Sequence, residues 1–127
     1  MTTPATLPGV LALTLIRGDS YTWEESIEVN TGTDAAPVWQ VKDVSGYTWR
    51  AQIRSDPDAA DVMATIVVDY LTDGTDGVLR LKLTATESRK LVPGNVTFDL
   101  EATSKTDPED VHTYLSGKWK IKADTTR

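Results

Sequence analysis

The clearest pattern along the chain is a strict alternation of apolar and polar side chains. Between Tyr47 and Arg54, the apolar Trp49, Ala51 and Ile53 alternate with polar neighbours. Because successive side chains of a β-strand point to opposite faces, this period of two predicts a strand with one buried and one wet face. Three other segments alternate in the same way: Val78–Leu83, Asn95–Ala102 and Val111–Ala123.

The segment Val111–Ala123 keeps one parity throughout, and it predicts a single long strand bent at Gly117 rather than a hairpin. Weaker patterns predict three further strands, at Leu11–Ile16, Tyr21–Val29 and Ala64–Leu71. Thr84–Glu87 has the pattern of a capping box and predicts a helix of about two turns before Pro93.

About seven short strands and one short helix favour an all-β fold, an immunoglobulin-like antiparallel β-sandwich. A partly open barrel is the alternative. We expect residues 10–127 to form one domain, preceded by a flexible N-terminal arm over residues 1–9, where threonine, proline and glycine prevail. The predicted core aromatics are Trp23, Trp49, Phe98 and Trp119.

Composition narrows the functional classes. With 39% hydrophobic and 25% charged residues, the 127-residue chain is typical of a globular protein. Its net charge of -6 argues against nucleic acid or an anionic membrane as a partner. It has no cysteine, no run of roughly 20 apolar residues that would span a bilayer and no basic leader, so we expect a protein made and assembled in solution.

Candidate catalytic groups are sparse. The single histidine, His112, falls on the polar parity of the last strand without an adjacent nucleophile. Asp69, Asp73 and Asp76 could offer oxygens to calcium, but their spacing matches no EF-hand and favours a hairpin turn. Arg17–Asp19 spells an integrin-type tripeptide, which we interpret as a turn. We therefore predict no catalytic residue, no cofactor and no metal ligand.

Docking to other proteins needs no such chemistry. Arg50 and Arg54 form a basic stripe that faces either Asp99 and Glu101 across the sheet or a partner. A second basic stripe is Lys118, Lys120 and Lys122. Sheet edges and the arm are suited to strand addition. The predicted interface residues are Thr2, Thr3, Pro4, Leu7, Pro8, Trp39, Arg50 and Arg54.

Five segments carry a resemblance to a known family: Arg17–Asp19, Val44–Arg54, Leu79–Glu87, Val96–Glu101 and Gly117–Ile121. In this order they resemble the β-sandwich domains of tailed-bacteriophage virion proteins, similar to the N-terminal domain of phage baseplate upper proteins. Phe98 occupies a position that is aromatic in the family pattern, and Ser88 occupies a position where the family more often has threonine. The resemblance implies an attachment module, several copies of which gather around a symmetry axis.

The resemblance implies a downstream segment that holds a fibre; we expect none here, and therefore expect a stand-alone accessory subunit of the tail, baseplate or neck. We therefore expect a non-enzymatic structural protein of the virion, made in the host cytoplasm, that forms homo-oligomers and docks onto other virion proteins. A capsid decoration protein is the nearest alternative. A carbohydrate-binding or host-adhesion module, presenting Trp39 or Tyr114 to sugars, is the alternative from another class.

Overall fold

A computed structural model describes residues 9–125 of the chain. Strands make up 52% of it and helix 3%, which confirms the predicted all-β class. The strands are β1 (Gly9–Val10), β2 (Thr14–Ile16), β3 (Tyr21–Ser26), β4 (Glu28–Asn30), β5 (Trp39–Val41), β6 (Tyr47–Arg54), β7 (Ala64–Tyr70), β8 (Val78–Leu83), β9 (Gly94–Ser104) and β10 (Val111–Lys122), and the helix is α1 (Ala85–Ser88).

The strands form a curled sheet in the order β1-β10-β9-β6-β7-β8-β3, with β2 also paired to β10. Strand β7 belongs to both layers, because its residues 64–66 pair with β6 and its residues 67–70 pair with β8. The sheet therefore folds over at β7 into two facing layers that together contain eight strands, in agreement with the predicted immunoglobulin-like sandwich of about seven. Strands β4 and β5 pair separately as a two-stranded ribbon.

The core lies between the two layers. Phe98 of β9 and Trp119 of β10 are fully buried and stack with ring centroids 4.4 Å apart. Trp23 meets Trp119 edge-on from the facing layer at 5.9 Å. Trp49 is partly buried against the same cluster, so all four predicted aromatics contribute to the core.

The first strand differs from the prediction in two ways. Of the predicted Leu11–Ile16 only Thr14–Ile16 is a strand, β2, and a separate short strand, β1, precedes it. Both strands run parallel to β10, where antiparallel neighbours were expected. The Leu11 amide between them donates to the Ser116 carbonyl at 2.9 Å. The reason for this close approach is Gly117, where a Cβ atom would stand 1.9 Å from the Leu11 carbonyl oxygen.

Strand β10 is one long strand, as predicted, and its register shifts at a β-bulge between Thr113 and Leu115, while the pairing continues unbroken through Gly117. A bulge inserts one extra residue and reverses the alternation on one side of it. The alternation predicted between Val111 and Thr113 is therefore wrong: Val111 is exposed, and His112 lies opposite the buried Ala102.

The predicted strand Tyr21–Val29 is interrupted at Ile27, which is buried. The Ile27 amide donates to the Gly77 carbonyl at 2.8 Å, while its own carbonyl accepts from the Lys42 amide at 2.9 Å. These two bonds hold the point where the chain leaves the sheet to form the β4–β5 ribbon.

Helix α1 is a single turn, shorter than predicted. The Thr84 hydroxyl accepts from the Glu87 amide at 3.2 Å, as an N-cap does. The Glu87 carboxylate instead accepts from the Thr65 amide at 2.8 Å and pairs with Lys90, so the capping box is only half formed. The helix is thereby hydrogen-bonded to β7 at Thr65. Within residues 9–125, no helix is long and apolar enough to cross a membrane.

Candidate docking surfaces

The outer face of the β6–β9 pair carries the first basic stripe. Arg50 lies opposite Glu101 in the register, and its guanidinium donates to the Glu101 carboxylate at 2.8 Å. This confirms the predicted cross-strand pair. Arg54 donates to the carbonyls of Ala59 and Ala60 at 2.8 and 3.0 Å, and so closes the loop after β6. Interface roles for Arg50 and Arg54 remain predictions.

Asp99 lies between these arginines on the same face and is half-buried. Burial raises its pKa, and the neighbouring charge of Glu101 raises it further, while Arg54 and Arg50 lower it. The surface thus mixes both charges and carries one carboxyl that is poorly solvated.

The β4–β5 ribbon exposes a group of large apolar side chains. Trp39 lies opposite Asn30 and Val41 opposite Glu28, so Trp39 and Val41 share one face of the ribbon. Trp39 is 61% exposed and Val41 is 56% exposed. Val38, just before the strand, is exposed as well. The predicted interface residue Trp39 therefore stands on an exposed apolar surface, although its partner remains a prediction.

A row of aromatic rings runs along the inner face at the bulged end of β10. Tyr47 and Trp49 have centroids 6.2 Å apart, and Trp49 and Tyr114 are 5.7 Å apart. His112 follows at 6.1 Å from Tyr114, and the Lys42 ammonium lies 5.1 Å above the Tyr47 ring. Burial raises the pKa of Tyr114 to about 12, helped by Tyr47 and Asp110. The row extends the core towards the surface.

His112 does not occupy the position predicted for it. The bulge turns its ring towards Tyr114, and its Nε2 lies 2.7 Å from the Asp110 carboxylate. The side chain remains partly exposed. It is thus a component of the aromatic row, an arrangement that strict alternation along β10 does not predict.

The Arg17–Asp19 segment forms a turn, as interpreted from the sequence. The Arg17 guanidinium pairs with Asp124 at 3.3 Å. Gly18 has a positive φ of 92°, which favours glycine, and its amide donates to the buried Ser88 hydroxyl at 2.8 Å. The Asp19 amide donates to the Ile16 carbonyl at 3.2 Å. The tripeptide is therefore integrated into the fold.

The aspartates near Gly74 and Gly77 likewise serve a turn. The Asp73 carboxylate accepts from the Thr75 amide and hydroxyl at 3.0 and 2.6 Å, and these bonds lower its pKa. Asp76 accepts from the Val78 amide and the Thr72 hydroxyl. Across residues 9–125, no group of three or more potential ligands is arranged to hold a metal ion.

The remaining predicted interface residues are Thr2, Thr3, Pro4, Leu7 and Pro8. They lie outside the described residues, as does almost all of the predicted arm over residues 1–9.

Comparison with known proteins gives distant likenesses only. No family model matches the chain, and no curated protein matches it. Among solved structures, a mutant of the SrpA adhesin from Streptococcus sanguinis is 12% identical with a TM-score of 0.42; the match covers 88% of this chain and 55% of that one. The chain thus spans about half of that structure.

A second solved structure is AggA, the major subunit of aggregative adherence fimbriae type I from Escherichia coli. It is 13% identical with a TM-score of 0.36, and the match covers 96% of this chain and 95% of that one. At these values neither likeness assigns a family or a function to the chain.

Proposed function

We propose that this β-sandwich is a structural protein of a tailed-phage virion, an accessory subunit of the tail, baseplate or neck that acts by docking onto other proteins. The observation that carries the docking role is the β4–β5 ribbon with Trp39 and Val41 exposed on one face. Large aromatic side chains dominate the energy of protein interfaces, since each buries a wide, rigid apolar area. The virion assignment rests on the sequence resemblance.

The attachment of the ribbon to the sandwich and the side chains it exposes favour a docking role. Within residues 9–125 its two strands pair only with each other, and the Lys42 amide donates to the Ile27 carbonyl at 2.9 Å where the ribbon joins the sandwich. A partner that covers Trp39 and Val41 therefore buries apolar area without rearranging the core. Glu28 and Asn30, opposite them, supply a polar border of the kind that surrounds interface anchors.

The proposed role is non-catalytic. Within the described residues, the side chain of His112, the one histidine of the sequence, contacts the neighbouring Asp110 carboxylate and Tyr114 ring. Neither neighbour is a serine or threonine that a histidine base would activate. The proposed partners are other virion structural proteins and further copies of the chain, and the proposed location is the assembled particle.

Incorporation into particles tests the proposal. Particles are purified by density gradient from hosts that express the tagged protein as the wild type, Trp39→Ala or Val92→Ala. Val92 is 60% exposed, matches Trp39 in exposure and lies away from the ribbon, so its variant is the control. We expect wild type and Val92→Ala in the particles and at least a tenfold loss for Trp39→Ala, since central aromatic anchors contribute about 2 kcal/mol or more.

Absence of the wild-type protein from purified particles refutes the virion role. Equal incorporation of all three proteins refutes docking through the ribbon. Immunogold labelling separates the tail, baseplate and neck from the capsid, where label would favour a decoration protein.

A carbohydrate-binding module is the second candidate, because the exposed Trp39 ring would equally stack on a sugar. A glycan array distinguishes the two. Binding of a defined glycan that Trp39→Ala abolishes and Val92→Ala preserves would favour host adhesion, whereas an array without such binding favours protein docking.

A further inference from the structure

Strand β3 ends the curled sheet within residues 9–125, paired with β8 on one side only. Just past the strand, the Ile27 amide donates towards β8, to the Gly77 carbonyl. Backbone groups of alternate residues point to opposite sides of a strand, so the odd residues of β3 bond to β8. The N–H and C=O groups of Thr22, Glu24 and Ser26 consequently point to the free edge.

The side chains on this edge divide between two environments. Thr22, Glu24 and Ser26 are exposed on the outer face. Trp23 on the inner face is partly buried and packs against Trp119, and burial raises the pKa of the adjacent Glu25. An added strand would therefore meet a polar acidic surface outside, and the Trp23 ring beside the half-buried Glu25 inside.

Charge limits which strand fits this edge. Among the described residues, neither Glu24 nor Glu25 forms an ion pair, although Arg80 lies opposite Glu24 in the register. An antiparallel two-fold contact that uses the free groups of all three residues would place Glu24 opposite Glu24 of a second copy. Like charges directly opposite destabilise a strand pair, which disfavours self-pairing.

The outer face beside the edge offers space for a long side chain. A shallow depression of about 600 Å³ is lined by Thr22, Trp23, Glu24, Asp69, Arg80 and Lys82. Asp69 and Glu24 lie opposite Arg80 on its two sides, so carboxylates occur at both borders of the depression.

We propose that the free edge of β3 accepts an extended segment of a different protein, which adds as a strand with lysine or arginine on the outer face opposite Glu24 and apolar side chains on the inner face against Trp23. Backbone hydrogen bonds to Thr22, Glu24 and Ser26 provide the affinity, and the charge of Glu24 determines the specificity for a basic partner. The inference rests on the proposed docking function and names the chemistry of a second partner surface.

The test titrates the isolated, isotope-labelled protein with two peptides and follows its backbone amides by NMR. One peptide is a heptamer alternating lysine and valine, and the other alternates glutamate and valine. We expect the basic peptide to shift the amides of Thr22, Glu24 and Ser26, with at least tenfold weaker binding of the acidic peptide. Glu24→Lys should reverse this preference. Glu109→Lys, the same charge change at an exposed loop position, should leave it unchanged.

A second variant separates strand addition from charge attraction alone. Thr22→Pro keeps Glu24 but removes one edge N–H that the β8 ladder does not use, so it should weaken binding of the basic peptide at least fivefold while the rest of the spectrum stays native. The inference is overturned if the shifts fall elsewhere, if both peptides bind equally, if Thr22→Pro binds as the wild type does, or if the free protein self-associates through β3. Particle incorporation through Trp39 is measured separately, so failure of the strand-addition test is distinguishable from failure of the proposed function.

Discussion

Gly117 gives the sharpest test of how the first strand is held. In Gly117→Ala, the new Cβ atom would stand 1.9 Å from the Leu11 carbonyl oxygen and 2.7 Å from the Leu11 carbonyl carbon. Both atoms belong to the backbone, so no side-chain rotation relieves the overlap. The segment between β1 and β2 has to move away from β10.

The displacement breaks a connected set of hydrogen bonds. The Leu11 amide donates to Ser116 at 2.9 Å, and the Leu11 carbonyl accepts from the buried Trp119 indole at 3.0 Å. Losing the first bond costs about 1 kcal/mol, and leaving the indole N–H buried without an acceptor costs about 1–3 kcal/mol. We therefore expect the free energy of unfolding to fall by roughly 2–4 kcal/mol.

Urea unfolding followed by tryptophan fluorescence measures this change. Gly46→Ala is the matched control, because Gly46 is exposed and its Cβ would meet nothing within 4 Å; its stability should change by less than about 1 kcal/mol. Faster exchange of the Trp119 indole proton should accompany the loss in Gly117→Ala. Equal stability of the two alanine variants would refute the argument that β1–β2 depends on Gly117.

Three further outcomes follow from side-chain geometry. Ser88→Ala removes the acceptor of a buried backbone N–H and should cost about 1–3 kcal/mol by thermal or urea unfolding, whereas the exposed Ser20→Ala should stay within about 0.5 kcal/mol. Burial raises the pKa of Asp99, so the native state disfavours its charged form. Asp99→Asn should therefore stabilise the protein at pH 7, and this gain should disappear below the ordinary pKa of 3.8. An unchanged stability at pH 7 would contradict the argument. A double-mutant cycle on Arg50 and Glu101 should give at most about 1 kcal/mol of coupling, reduced by salt; a larger, salt-independent value would be inconsistent with an exposed pair.

Alternation along the chain was sufficient to predict the central strands. Strands β6 and β8 have the predicted bounds, and the buried faces of β8 and β9 follow the predicted parity. These strands lie within the sheet, with one face buried and the other exposed to solvent. The alternation of apolar and polar residues therefore predicts directly which side chains face the core.

Prediction failed where local geometry overrides that alternation. Strand β5 has only three residues, all exposed, so burial leaves no pattern in its sequence. The bulge in β10 adds a residue without any marker such as proline or glycine, and it moved His112 to the inner face. The parallel pairing of β1 and β2 depends on a close backbone approach at Gly117, and a glycine in a strand is equally consistent with a bend.

The same logic applies to the candidate surfaces. Arg50 was expected either to pair across the strand or to face a partner, and the register brings it to Glu101. Trp39 was singled out by residue type alone, and its exposure depends on the ribbon that the pattern did not reveal. The free groups of β3 depend on which strand ends the sheet, a property of the topology that no local window of sequence contains.

The parallel course of β1–β2 beside β10 has a mechanical consequence. Tension applied between the start of β1 and the end of β10 runs along both strands, so it loads the bonds at Leu11, Leu13 and Arg17 together, in shear. Antiparallel terminal strands pulled in the same manner would peel apart one bond at a time. A molecule built this way resists extension along its length until several bonds yield at once.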